Sequence, residues 1–132
     1  MRIAVSSTGE SIESQPSPFF GRCAYFIIFE IENNKIKNSR AIKNNAVIQP
    51  GGAGVMSSQT LGNERVDAVV SGSFGPRAFD VLSQLKIRTY KSKGKTVKED
   101  AELFIKGELE GLKSPGMMGV AKGGFGRGRR FN

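Results

Sequence analysis

The 132-residue chain contains no histidine and no tryptophan, and Cys23 is its only cysteine. Without imidazole, Ser-His-Asp and Cys-His catalysis within one chain are excluded. The ligand used by most zinc and non-haem iron sites is missing as well. A lone cysteine excludes an internal disulfide and fits a reducing cytoplasm. No apolar run approaches the roughly 20 residues of a membrane helix. The apolar start, Met1-Arg2-Ile3-Ala4-Val5, turns polar at Ser6, too early for the apolar region of a signal peptide. Aspartate is scarce too, with only Asp67, Asp80 and Asp100.

What is present is a modest core and an uneven charge. Hydrophobic residues make up 38% of the chain, enough for one domain of this length. The net charge is +8. More than half of it lies beyond residue 110, where Lys113, Lys122, Arg127, Arg129 and Arg130 meet no acidic residue. The basicity is therefore largely a tail property, and the body is not an obvious nucleic-acid domain.

The apolar pattern divides residues 1–110 into eight elements. Residues 2–6 form a short core strand. Residues 25–31, rich in aromatic and β-branched side chains, form a second. Asn33-Asn34 is a hairpin signal, and residues 35–42 return as a more exposed strand. Gly51-Gly52 permits a tight turn into a helix over 53–64. Residues 66–70 are a buried strand, and Gly75-Pro76 opens a helix with proline at its favoured position. In that helix Ala78, Val81, Leu82 and Leu85 share one face. A short strand at 87–90 follows. Thr96-Val97-Lys98-Glu99 then reads as a capping box for a last helix that buries Val97, Ala101, Phe104 and Ile105. Strands alternating with helices pair in parallel, so the fold expected is a single α/β domain with a mixed five-stranded sheet flanked by helices. Residues 111–132, rich in glycine and arginine, read as a flexible tail.

Three segments are expected to line one site. The first, Ser17-Pro18-Phe19-Phe20-Gly21-Arg22-Cys23, runs into the most apolar strand. The second is the Gly51-Gly52 turn. The third is Ser71-Gly72-Ser73-Phe74-Gly75, at a strand end. In open α/β sheets ligands gather at the carboxyl ends of the parallel strands. Helix N-termini opened by glycine turns present free amides to an anion. Arg22 adds a charged fork there and favours the thiolate of Cys23, and Arg77 sits in the first turn of its helix. The candidate binding residues are Arg22, Cys23, Gly51, Gly52, Ser71, Gly72 and Gly75, with Cys23 as the candidate metal ligand. Neither glycine turn is a nucleotide-binding motif. No cluster suggests proton transfer, and a two-metal nuclease would need converging carboxylates that the three aspartates do not supply. The protein is expected not to be an enzyme.

In series, these residues resemble the dinitrogenase iron–molybdenum cofactor biosynthesis family. The matching pieces are Phe20-Gly21-Arg22-Cys23 with Tyr25-Phe26, Gly51-Gly52-Ala53-Gly54, and Val66-Asp67-Ala68-Val69-Val70 leading to Gly75-Pro76. They continue through Ala78, Phe79, Leu82, Ile87 and Tyr90 to Thr96-Val97 and Gly107-Glu108-Leu109. The likeness spans about residues 1–110. It implies a ribonuclease-H-like α/β fold and binding of the iron–molybdenum cofactor or a precursor iron–sulfur cluster. It also implies a carrier role between metallocluster donor and acceptor proteins. Many members carry a histidine beside the Phe-Gly-Arg motif, where this chain has Pro18-Phe19.

The leading expectation is a non-enzymatic, cytoplasmic carrier in metallocluster assembly. Cys23 would give one soft thiolate, and Arg22 with the turn amides would hold the negative charge. One thiolate cannot complete a four-thiolate site, so the cluster must bring ligands, be shared between chains or bind loosely. One alternative is a nucleic-acid-binding module that uses Arg127-Gly128-Arg129-Arg130-Phe131. The other is a regulatory domain for a small anion or a partner protein.

Overall fold

The computed structural model describes residues 1–48 and 51–113. It contains β1 (Arg2–Ser7), β2 (Tyr25–Glu32), β3 (Lys35–Lys43), α1 (Ala53–Asn63), β4 (Ala68–Ser71), α2 (Pro76–Gln84), β5 (Arg88–Lys91) and α3 (Val97–Ile105). The five strands form one mixed sheet in the order β3-β2-β1-β4-β5. β2 runs antiparallel to both β1 and β3. β4 runs parallel to β1 and β5. The expected single α/β domain with a mixed five-stranded sheet is therefore the observed one.

Alternation along the strands divides the core between two faces. Ala4, Phe26, Ile28 and Val69 pack with Leu61 of α1 and with Phe79 and Leu82 of α2. Ile3, Val5, Ile27, Phe29, Ala68 and Val70 face Val97 and Ala101 of α3. Phe26 and Phe29, on opposite faces, are both fully buried. Each such side chain stabilises the fold by about 2–3 kcal/mol relative to an exposed position.

The hairpin turn uses Asn33 and Asn34 at φ 54° and 61°. That is the pair of left-handed residues a tight two-residue turn demands, and asparagine tolerates it. All three helices end in the same way. The amides of Arg65, Lys86 and Gly107 bond the carbonyls of Gly62, Ser83 and Phe104. The amides of the residues that follow them bond Leu61, Leu82 and Leu103. This is the Schellman arrangement, with a left-handed residue just past each helix.

Two local expectations are corrected. The Thr96 hydroxyl accepts from the Glu99 amide at 3.0 Å, but the Glu99 carboxylate accepts from Lys95 at 2.5 Å and not from Thr96. The neighbouring Asp100, fully buried, takes over the preceding loop by accepting from the Ser92 hydroxyl and from the Lys93 and Gly94 amides. Gly111 and Leu112, assigned to the tail, belong to the fold. Gly111 bridges Tyr90, the Leu112 amide bonds Thr89 at 2.9 Å, and Leu112 packs on the α1/α2 core. From residue 114 on the expected tail, with Arg127-Gly128-Arg129-Arg130, lies outside the described residues. Among the described residues, no helix is long and apolar enough to cross a membrane.

Candidate functional site

β1 and β4 run in parallel side by side at the middle of the sheet, and their carboxyl ends open on the same edge. The three segments singled out in the sequence meet at this edge. The Phe20 amide donates to the Ser73 carbonyl at 3.1 Å, and the Gly72 amide to Ser17 at 3.3 Å. The Ser73 hydroxyl donates to the Pro18 carbonyl at 2.8 Å. These bonds tie the 17–22 loop to the turn after β4. Gly21 ties it to α1, since a Cβ there would lie 2.9 Å from the Gly54 amide nitrogen. Only residues without a side chain allow backbones to approach this closely.

The starts of α1 and α2 also meet. A Cβ on Gly54 would stand 2.9 Å from that of Ala78. The N-cap residues are Gly52, left-handed at φ 74°, and Gly75, extended. Among the described residues neither end has a side-chain cap, and neither first turn contains an acidic residue. Serine, threonine, aspartate or asparagine would normally satisfy these orphan amides. Here the positive ends of two helix dipoles are adjacent, with no side-chain cap on either. Gly51, Gly52, Gly75, Arg22 and Arg77 are all exposed on this edge. The Arg77 side chain makes no hydrogen bond or ion pair among the described residues. Phe19, 60% exposed, stands on the same loop.

Cys23 is not at the surface of this site. It is 2% exposed and belongs to the α1/α2 core. Its thiol donates to the Phe20 carbonyl at 3.2 Å. Burial pushes the thiol up to about 11, against smaller opposing effects of the Ser6 hydroxyl, the Ser7 amide and Asn44. The expected activation of a thiolate by Arg22 is thus overturned, because desolvation outweighs every favourable neighbour. Ser71 is likewise fully buried, whereas Gly72 is partly exposed and packs under Pro18.

Sequence reasoning missed Asn44. It is 1% exposed, and its amide donates to the carbonyls of Gly21 at 3.2 Å and Cys23 at 2.8 Å. Its carbonyl accepts from the Ser57 hydroxyl of α1 and from the Ala46 amide. One side chain therefore fastens the site loop, the end of β3 and α1 together. An asparagine in a polar loop gave no sign of this, because its partners on the site loop and on α1 lie 13 to 23 positions away.

The donor set decides what the edge can hold. Among the described residues, no three His, Cys, Asp or Glu side chains gather to bind a bare metal ion. Amides, helix dipoles and arginines suit an anion instead, including a metal–sulfur cluster that brings its own ligands.

Known proteins share this architecture. The profile of the dinitrogenase iron–molybdenum cofactor family matches residues 1–107. The uncharacterized protein MJ0580 of Methanocaldococcus jannaschii is 42% identical over 94 residues, which span 71% of this chain and 80% of that protein. The orange protein of Desulfovibrio gigas, solved in its apo form, superposes with a TM-score of 0.79 at 26% identity, covering 86% of this chain and 94% of its own. A Thermotoga protein superposes with a TM-score of 0.74 at 30% identity, over 86% and 94% of the two chains. The chain belongs to the dinitrogenase iron–molybdenum cofactor family.

Proposed function

We propose that the protein is a non-enzymatic carrier of an anionic metal–sulfur cluster, either the iron–molybdenum cofactor or an iron–sulfur precursor, held at the carboxyl edge of β1 and β4. The observation that carries this reading is the pair of adjacent helix N-termini, both opened by glycine and neither side-chain capped. A cluster with net negative charge would meet the uncapped N-termini of α1 and α2, flanked by Arg22 and Arg77. The protein would supply charge and hydrogen bonds, and the terminal ligands would travel with the cluster. Such binding releases its cargo readily, which a carrier must do. Cys23 as a thiolate ligand has no part in this reading, since its thiol lies inside the core. The strand order, with β2 reversed, supports the ribonuclease-H-like relationship.

Donor and acceptor proteins would approach the same edge, where Phe19 is exposed beside the site. The nucleic-acid alternative rests on residues beyond 113 and draws no support from the edge itself. The test is anaerobic reconstitution of the pure protein with iron, sulfide and excess small thiol to supply terminal ligands. Visible absorption and iron stoichiometry report uptake, and preformed iron–molybdenum cofactor is the second cargo. Uptake of either is the expected result. Failure of both overturns the reading.

A further inference from the structure

Beneath the 17–22 loop, the core contains two hydroxyls that its packing does not require, with the Cys23 thiol beside them. Val5 of β1 pairs with Val70 of β4, so Ser6 and Ser71 are neighbours one step further on. Strand alternation puts both on the α1/α2 face with Ala4 and Val69. Both are fully buried. Among the described residues, neither hydroxyl has a hydrogen-bond partner. The Cys23 thiol is on the same face. The Ser6 hydroxyl lies close enough to lower the thiol's pKa, yet makes no hydrogen bond of normal geometry with it.

Buried hydroxyls are normally paired, and replacing an unpaired one by an apolar group is neutral or stabilising. Two side by side, at the ends of the two central parallel strands, are a standing penalty that alanine would remove. They are also two neutral donors without a partner, and the Cys23 thiol beside them, which donates to the Phe20 carbonyl, becomes a third only when Phe20 moves away. The one buried carboxylate among the described residues, Asp100, belongs to α3. Such a set of donors matches the acceptor atom of an anion. Ser17 of the 17–22 loop joins both strand ends: its amide donates to the Ser6 carbonyl at 2.9 Å and its carbonyl accepts from the Gly72 amide at 3.3 Å. That loop is fastened to the turn after β4 by the three hydrogen bonds given above. It is also anchored by Phe20, whose ring stacks 5.4 Å from Phe26 and 5.3 Å from Phe74.

We infer that Ser6, Ser71 and Cys23 form an inner pocket that receives a sulfide or oxide atom of the anionic ligand, and that the 17–22 loop is the cover that lifts to admit it. The inference rests on the reading of this edge as an anion site. It adds a floor to that site and an order of events: the cover opens, one ligand atom descends onto the two hydroxyls and the thiol, and the helix amides close on the remainder.

The test uses Cys23 as reporter, with a maleimide, on the full-length protein. Labelling of the wild type is measured across urea concentrations below the unfolding transition. A rate that does not change with urea is expected, because lifting the cover exposes little surface. Sodium molybdate, an oxyanion probe, is expected to slow that labelling at least tenfold. The Ser6→Ala/Ser71→Ala variant is expected to melt higher than the wild type and to lose the molybdate protection. Labelling that follows global unfolding would overturn the cover. Protection that survives in the variant, or absent protection in the wild type, would overturn the pocket. A lower melting temperature would do the same, since it would show that the hydroxyls hold a structural water or pack the core. Molybdate protection without uptake of any metal–sulfur cluster would uphold the pocket and overturn the carrier reading.

Discussion

Gly72 and Pro18 touch backbone to backbone: a Cβ on Gly72 would stand 2.6 Å from the Pro18 Cα and 2.8 Å from its carbonyl oxygen. The contact joins the turn after β4 to the loop that leads into β2. It explains why a glycine stands at a position whose φ alone does not require one. Gly72→Ala must push Pro18 away and break the Ser73–Pro18 and Gly72–Ser17 bonds. A loss of roughly 1–3 kcal/mol is expected from such overpacking. Urea unfolding measures it, and an unchanged midpoint would contradict the contact.

Asn44 gives a second prediction. Asn44→Ala leaves the Gly21 and Cys23 carbonyls and the Ser57 hydroxyl without their partner. Each buried group left unpaired costs roughly 1–3 kcal/mol. The variant should lose about 2 kcal/mol or more, and its Cys23 should label faster, because the loop has lost its tie to α1. Asn44→Asp should be no better, since a carboxylate cannot donate to the two carbonyls.

The Cys23 thiol predicts how stability depends on pH. Its folded value, about 11, lies above the ordinary 9.0. The folded state therefore keeps a proton that the unfolded state gives up, and stability must fall as pH rises through that interval. The contribution is complete below about pH 9 and is lost progressively as pH approaches 11. Two units correspond to about 2–3 kcal/mol at the upper end. Urea titrations at pH 8 and pH 10.5 should show the loss, and Cys23→Ala should reduce it.

Helix ends offer a test independent of the site. Arg65 and Lys86 hold φ 59° and 62°, in the left-handed region that favours glycine. Lys86→Gly should stabilise the protein by up to about 1 kcal/mol, since relief of strain outweighs the greater entropy of glycine in the unfolded chain. Lys86→Ala, which keeps a Cβ, should give no such gain. Thermal melts of the pair decide it.

Much of this architecture is legible in the sequence because it is local. The run from Tyr25 to Ile31, the Asn33-Asn34 turn and the Gly75-Pro76 helix start each carry their signal within a few residues. The meeting of the three site segments is legible too, since glycine turns at the ends of parallel strands fall on one edge. The rest depends on distant partners. Cys23 is flanked by an exposed arginine, which points to an active thiolate, but Phe20 and β1 enclose it in the core. Asn44 looks like a loop residue until Gly21, Cys23 and Ser57 are brought around it. Leu112 reads as part of a polar tail, yet it bonds back to Thr89, 23 positions earlier. Ser6 is visible as a strand end, but only the β1–β4 register shows that its neighbour is Ser71.

The most direct measurement of the central claim is anaerobic titration of reconstituted cluster onto the wild type and onto Arg77→Glu, each at low and high salt. Arg77 stands in the first turn of α2, exposed and away from the core, so its replacement should leave the fold intact. The account predicts uptake by the wild type that weakens as salt rises. It also predicts at least a roughly tenfold loss of affinity in Arg77→Glu, as expected when an attractive charge at an anion site becomes a repulsive one. Equal, salt-insensitive affinity in the two proteins would contradict it, because the cluster would then be held somewhere other than the joined N-termini of α1 and α2.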